Sequence, residues 1–251
     1  MRILWNNLWD LYSLTESQED ASYPAENTQD IRLVKVWRTQ TASAATIAID
    51  AGAGLTITCD AAAILAHNFT ASAGICVQAA TAPTFAAIAM SANVTWRDGP
   101  MVVYFSANTL RCWRFSFDEL TLADGYYEVG RLFLGQYLQV DPSSLVEFPQ
   151  EQVRTDNVQF SRDGQLYADE GICYKQLRYQ FQEASASAKT LIETMWAGSA
   201  GVGKHKPLLL MNYDETFTVI EPLYCAIAED IVFKHKTHDY WDWDLVLREC
   251  R

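Results

Sequence analysis

Apolar and polar residues alternate along much of this chain. In "CWRFSF" (112–117), Trp113, Phe115 and Phe117 fall on one side and Arg114 and Ser116 on the other. In "LRYQF" (177–181), Leu177, Tyr179 and Phe181 oppose Arg178 and Gln180. In "YWDWDLVLR" (240–248), Trp241, Trp243, Leu245 and Leu247 alternate with Asp242, Asp244 and Arg248. A period of two marks a strand with one buried face. "TIAID", "LTITC", "GICVQ", "MVVYF", "RLFLG" and "TFTVI" add shorter candidates. Turn sequences separate them: "DAGAG", "RDGP", "ADG", "RDG" and "NYDE". Many short strands with frequent turns predict antiparallel sandwiches or barrels.

One segment departs from this pattern. In "EASASAKTLIETMWAG", Ala188, Leu191, Ile192, Met195 and Trp196 recur at helical spacing and form one apolar stripe. Ser185 or Ser187 can cap its start and Gly198 can close its end. The pattern therefore predicts one helix at about 185–196, packed over a sheet. Three regions are expected: an N-terminal arm (1–20), a β-sandwich (21–145), and a β-rich subdomain with the helix (146–251). The Pro- and Ser-bearing stretch "QVDPSSLVEFPQEQV" connects the last two.

Composition narrows the partners. The 251 residues carry a formal charge of -12, which disfavours nucleic acid and anionic lipid surfaces. No stretch approaches the ~20 apolar residues of a membrane-spanning helix. The start, "MRILWNNLWDLY", is interrupted by Asn6, Asn7 and Asp10 and is read as mature protein, not a signal peptide. The six cysteines show no CxxC spacing, and four sit in strand-like runs, so free thiols are expected.

The motifs that suggest chemistry do not hold together. "GSAGVGK" (198–204) has the glycine–lysine skeleton of a phosphate loop. Such a loop needs a strand before it and a helix after it, because the helix N-terminus supplies the donors. Here the order is reversed, and His205 stands where magnesium would need Ser or Thr. The expected state is a mobile, solvent-facing connector that binds no phosphate. His235 and His238 would point to opposite faces of a strand and cannot chelate together without a turn. Asp242–Asp244 and Glu229–Asp230 read as solvated carboxylates, and "NFT" (68–70) as an acceptor only in a secretory setting. There is no GxSxG. No catalytic, cofactor-binding or metal-ligating residue is assigned, and no cofactor and no enzymatic activity are expected.

Two stretches carry a resemblance. "YPAENTQDIRLVKVWRTQTASAATIAIDAG" (23–52) is similar to the opening of discoidin-type, galactose-binding-like sandwiches, through Asn27, Asp30, Trp37, Arg38, Ile47, Ile49, Asp50 and Gly52. The wording "YPAEN…D.RL.KVWRT", with "EVGRLFLG" later and the ending "EPLYCAIAEDIVFKHKTHDYWDWDLVLREC", resembles minor structural proteins of tailed bacteriophages, of the tail-tip or baseplate type, including distal-tail-type proteins. The resemblance implies a discoidin-like or jelly-roll β-sandwich followed by a β-rich subdomain with one α-helix. It implies a nonenzymatic structural role in the virion tail, with synthesis in the host cytoplasm. Its partners would be other tail or baseplate proteins in a homo-oligomeric ring. The alternative is a carbohydrate-binding module that recognises a host-surface glycan. Trp37 and Asp50 are fold anchors on this reading: a buried aromatic, and a turn carboxylate bonding its own backbone. In the arm, Trp5, Leu8, Trp9 and Tyr12 are candidate contacts to an adjacent subunit, the other reading being an ordinary first strand or helix of the core.

Overall fold

The computed structural model describes residues 1–118, 122–140, 145–147, 149–160, 162–163, 166–199, 201–211 and 222–250. The expected strand "TFTVI" and turn "NYDE" lie outside them. In chain order the strands of the first half are β1 (Arg2–Leu4), β2 (Leu14–Glu16), β3 (Trp37–Arg38), β4 (Ala45–Asp50), β5 (Ile57–His67), β6 (Gly74–Ala80), β7 (Ile88–Asn93), β8 (Met101–Leu110), β9 (Cys112–Asp118), β10 (Glu128–Gly135) and β11 (Leu138–Gln139). They are followed by β12 (Leu145–Glu147), β13 (Gln150–Arg154), β14 (Asn157–Phe160), β15 (Leu166–Asp169), β16 (Cys173–Ser185), helix α1 (Ala186–Ala197), β17 (Leu208–Met211), β18 (Leu223–Ile227), β19 (Lys234–Thr237) and β20 (Tyr240–Glu249). The chain divides into two compact units. The sandwich unit comprises Arg2–Gln139 with Leu209–Leu223, and the helix-bearing unit Val140–Leu208 with Tyr224–Cys250.

The sandwich unit follows from the period-two pattern. Five strands form one sheet in the order β2-β4-β9-β6-β7, and four form the other in the order β3-β10-β5-β8. Ile47 and Ile49 of β4 and Trp113, Phe115 and Phe117 of β9 turn inward and are fully buried. Val129, Leu132 and Leu134 of β10 join the same core. Phe69 stacks on Phe117 at 5.0 Å between ring centroids, and Trp9 meets Phe115 edge-on at 5.1 Å. Burying aromatic faces in this way is the main stabilising term. β1 lies antiparallel between β11 and β17.

Residues 2–20 belong to this unit and pair within it. β1 is paired on both edges, and β2 pairs with β4. Between them a short 3-10 helix, Leu8–Leu11, is capped by Asn7. Asn7 explains the arrangement. Its Oδ1 accepts from the N–H of Leu134 at 3.0 Å and of Trp9 at 3.3 Å. Its Nδ2 donates to the Leu132 carbonyl at 2.9 Å and to Asp10 at 3.0 Å. β3 pairs with β10 only at Glu128 and Val129, so the rest of that edge would lack partners. The amide of Asn7 supplies them, which protects an otherwise open strand edge. Arg131, only 2% exposed, adds an ion pair to Asp10 at 2.6 Å and a bond to the Asp30 carbonyl at 3.0 Å. Gly135 permits the approach, because a Cβ there would lie 2.6 Å from the Asn6 carbonyl oxygen.

In the helix-bearing unit, β16 and β20 pair antiparallel, flanked by β13 and β12 on the β16 side and by β18 and β19 on the β20 side. Leu177, Tyr179 and Phe181 alternate inward on β16, as do Trp243, Leu245 and Leu247 on β20. Helix α1 is capped by Ser185, whose hydroxyl accepts from the Ala188 N–H, and ends at Gly198, whose N–H bonds the Thr194 carbonyl. Ile192 and Met195 are its buried residues; Leu191, expected in the stripe, is 46% exposed. Among the described residues this is the one α-helix, and no helix is long and apolar enough to cross a membrane.

Candidate functional site

A cleft lies at the far end of β10, within the sandwich unit. It measures about 500 Å³ and is lined by Trp5, Asn6, Leu8, Ile57, Thr58, Gln136, Tyr137 and Leu138. Local sequence dictates its walls. Gly135 ends β10 beneath the backbone of Asn6, so the segment after β1 and the turn after β10 run close together. Tyr137 is held in place. The Arg2 guanidinium stacks over its ring at 4.4 Å and over Tyr104 at 4.8 Å, and Gln139 fixes Arg2 through a 3.1 Å bond. Tyr104 meets Tyr137 edge-on at 5.6 Å. The pairing of β5 with β8 shifts register between Cys59 and Ala61. The intervening Asp60 accepts the backbone N–H of Tyr137 at 2.9 Å. A bulge re-aims a side chain in this way. Burial pushes the Asp60 carboxyl up from its ordinary value, while the Tyr137 N–H and Arg2 pull it down.

Three side chains of the cleft have open polar groups, while the Thr58 hydroxyl is shared with that of Thr109 at 2.8 Å. Among the described residues, the Trp5 indole N–H and the side-chain amides of Asn6 and Gln136 have no hydrogen-bond partner. Trp5 is half-buried and its indole forms part of the wall. An aromatic surface beside free amide donors and acceptors can hold a ligand with apolar C–H faces and hydroxyl edges.

The other sequence-derived candidates fall elsewhere. Trp9 is fully buried in the core of its own chain, with its Nε1 donating to Thr28 Oγ1 at 3.0 Å. That is the burial of an ordinary core residue, the other reading of this segment. Leu8 and Tyr12 are partly buried against the same core. Of the four, only Trp5 and Leu8 line the cleft. Trp37 is fully buried and packs on Phe117 at 5.9 Å. Asp50 accepts the Gly52 N–H at 2.8 Å in a turn where Gly52 has φ +99. It also holds Arg111 through two 2.6 Å bonds, and this arginine lowers its pKa to about 2. Nothing in the pattern of either residue announced that ion pair.

No family model matches the chain. No curated protein matches it either. Solved structures do resemble about half of it. A family 32 carbohydrate-binding module from C. perfringens NanJ, in complex with galactose, is 14% identical, with a TM-score of 0.42; the match covers 55% of this chain and 100% of that one. Chitosan-binding module 1 of a chitosanase/glucanase from Paenibacillus sp. IK-5 is 16% identical with a TM-score of 0.39, covering 53% and 97%. The lectin domain of lectinolysin, complexed with Lewis B antigen, is 12% identical with a TM-score of 0.39, covering 50% and 92%.

The remaining motifs have structural partners. In "AGSAGVGKHKP", the N–H groups a phosphate would need are occupied: Gly201 bonds the Gly198 carbonyl, Val202 that of Met195 and Gly203 that of Trp196. Val202 is fully buried and Lys204 pairs with Asp230 at 3.0 Å. Gly201–Gly203 are thus folded back on the helix end, while Lys204, His205 and Lys206 face solvent as expected. Asp244 and Glu229 both pair with Arg178, and Asp242 accepts the Glu183 N–H at 2.8 Å. His235 bonds the carbonyl of His238 instead of sharing a ligand with it. Asn68 of "NFT" links Asp124, the Tyr126 carbonyl and the Glu128 N–H. None of the six cysteines is in a disulfide. Among the described residues, no three His, Cys, Asp or Glu side chains gather as a metal site.

Proposed function

We propose that this protein binds carbohydrate through the Trp5–Tyr137 cleft. One observation carries the reading: a cleft of about 500 Å³ in which a half-buried indole sits beside amides left without partners among the described residues. A pyranose presents an apolar C–H face and a rim of hydroxyls. The indole meets the first, and Asn6, Gln136 and Thr58 meet the second. The Arg2–Tyr104–Tyr137 stack and the Asp60 bond hold one wall before a ligand arrives. Preorganisation of that kind lowers the entropic cost of binding. A glycan array followed by calorimetry on the leading sugar tests the proposal. Trp5→Ala should weaken binding about ten-fold or more, as loss of a central aromatic anchor does. An array without hits, or full affinity in the Trp5→Ala protein, would sink the idea.

The resemblance of "YPAEN…KVWRT" and "EVGRLFLG" to tail-tip proteins supports a finer reading of where such a module works. It would be a nonenzymatic subunit of a phage tail tip or baseplate, assembled as a ring and carrying its clefts toward host-surface glycans. Mass spectrometry of purified particles tests this, and particles lacking the chain would remove the virion setting while leaving sugar binding untouched.

A further inference from the structure

A second cavity, of about 260 Å³, lies on the outer face of the five-stranded sheet. Its floor is the polar side of β2, β4 and β9: Thr15, Thr46, Ala48 and Arg114. Its rim is the β6–β7 loop, with Pro83, Thr84 and Phe85. The register explains the grouping, because Thr15 opposes Ala48, Ala48 opposes Arg114, and Arg114 opposes Gln78.

Arg114 is the unusual member. Its Nε donates to Gln78 Oε1 at 2.7 Å and its guanidinium lies 4.4 Å from the Phe85 ring centre. These two contacts hold the fork in one place. Its terminal nitrogens have no partner among the described residues, and no carboxylate there pairs with it. Burial alone pulls its pKa down. Two carboxylates, Glu16 and Asp50, share the wall. Asp50 is neutralised by Arg111 at 2.6 Å. Glu16 makes no ion pair among the described residues, and burial first, then Glu19 and Glu26, push its carboxyl up from its ordinary value, toward the neutral form. An uncompensated, partly desolvated guanidinium in a chain of charge -12 is a costly feature unless it meets an anion.

We infer that this cavity binds an acidic monosaccharide, with Arg114 holding its carboxylate. A carboxylate matches the guanidinium fork in shape and charge. The hydroxyls of Thr15, Thr46 and Thr84 suit a ligand ringed with hydroxyls, and Ala48 and Pro83 supply apolar contact. At about 260 Å³ the cavity has room for a single sugar ring. This site shares no residue with the Trp5 cleft, and the inference does not depend on sugar binding there.

Amide-resolved NMR titration of the full chain with glucuronate, glucose and acetate tests the inference. Glucuronate should shift Thr15, Thr46, Ala48 and Arg114, and should bind about ten-fold or more tighter than glucose at those positions. Arg114→Gln should remove the response. Thr84→Trp, which fills the cavity from an exposed loop and leaves Arg114 intact, should remove it too. Shifts confined to Gln136 and Leu138 overturn the assignment, as does a response that survives both substitutions. Acetate binding as tightly as glucuronate overturns the sugar part, since the carboxylate alone would then suffice.

Discussion

Strand β10 has an aromatic cluster at each end, and the two differ in what remains open. At its start, Glu128 pairs with Arg38 at 2.7 Å. The Arg38 guanidinium lies 3.9 Å from the Tyr23 ring centre and 4.9 Å from that of Tyr126. Those rings are capped by a cation, and the cation by a carboxylate. At the other end, Arg2 caps Tyr104 and Tyr137, but Trp5, which lines the cleft, carries no cation and its N–H has no partner among the described residues. Aromatic residues near a loop therefore do not mark a site by themselves. The mark is an aromatic surface with no cation on it and polar neighbours with no partner.

The strongest way to break this comparison is inside the N-terminal segment, where Trp5 and Trp9 lie four residues apart. Trp9→Ala removes a fully buried indole and should cost about 3–5 kcal/mol in urea unfolding. Trp5→Ala should cost no more than about 1 kcal/mol. Equal losses would mean that Trp5 is core as well and that the cleft is a packing defect. Asn7→Ala comes next. It strips four hydrogen bonds and leaves backbone groups of Leu132 and Leu134 unsatisfied, so a loss of about 2–3 kcal/mol is expected.

The pattern of the sequence reached the strands but not these distinctions. Trp113, Phe115 and Phe117 alternate with polar residues over one strand, and their burial followed directly. α1 was equally legible, because its cap and its stripe are local. Trp5 and Trp9 sit in one short aromatic run with nothing local to separate them. What does separate them is Asn7, through bonds to residues 125 and 127 positions away. The Trp5 cleft was half visible, since Trp5 was a candidate, but Gln136, Tyr137 and Asp60 join it only through register and a bulge. Arg114 was read as a polar strand position; its missing counter-charge is a property of the assembled sheet.

Two binding comparisons sharpen the contrast between the ends of β10. Trp5→Ala should reduce sugar affinity about ten-fold, near 1.4 kcal/mol, while Tyr126→Ala at the capped end leaves calorimetric affinity unchanged. A larger effect from Tyr126 would move the site to the other end of the strand. Glu128→Gln should cost less than about 1 kcal/mol of stability, because the pair with Arg38 is partly exposed. The smallest effect concerns acid. Arg111 holds the folded Asp50 carboxyl at about 2, below its unfolded value, so the unfolded chain takes up the proton first as pH falls. The contribution is complete above about pH 4 and is lost between there and pH 2. Arg111→Gln should flatten that part of the stability profile, and an unchanged acid limb would show that the pair contributes nothing.

The long reach of Asn7 also sets an order of events during synthesis. The segment that carries Trp9 leaves the ribosome before the other strands of the sandwich, yet the strand it must dock on is among the last of them to emerge. Until β10 appears, neither Asn7 nor Asp10 has its distant partner, and the indole of Trp9 has no finished cavity to enter. Closing so large a loop is slow compared with forming a local hairpin. A nascent chain stalled before Glu128 should expose that indole, and so should be a ready client for a chaperone that grips unsheltered aromatic side chains.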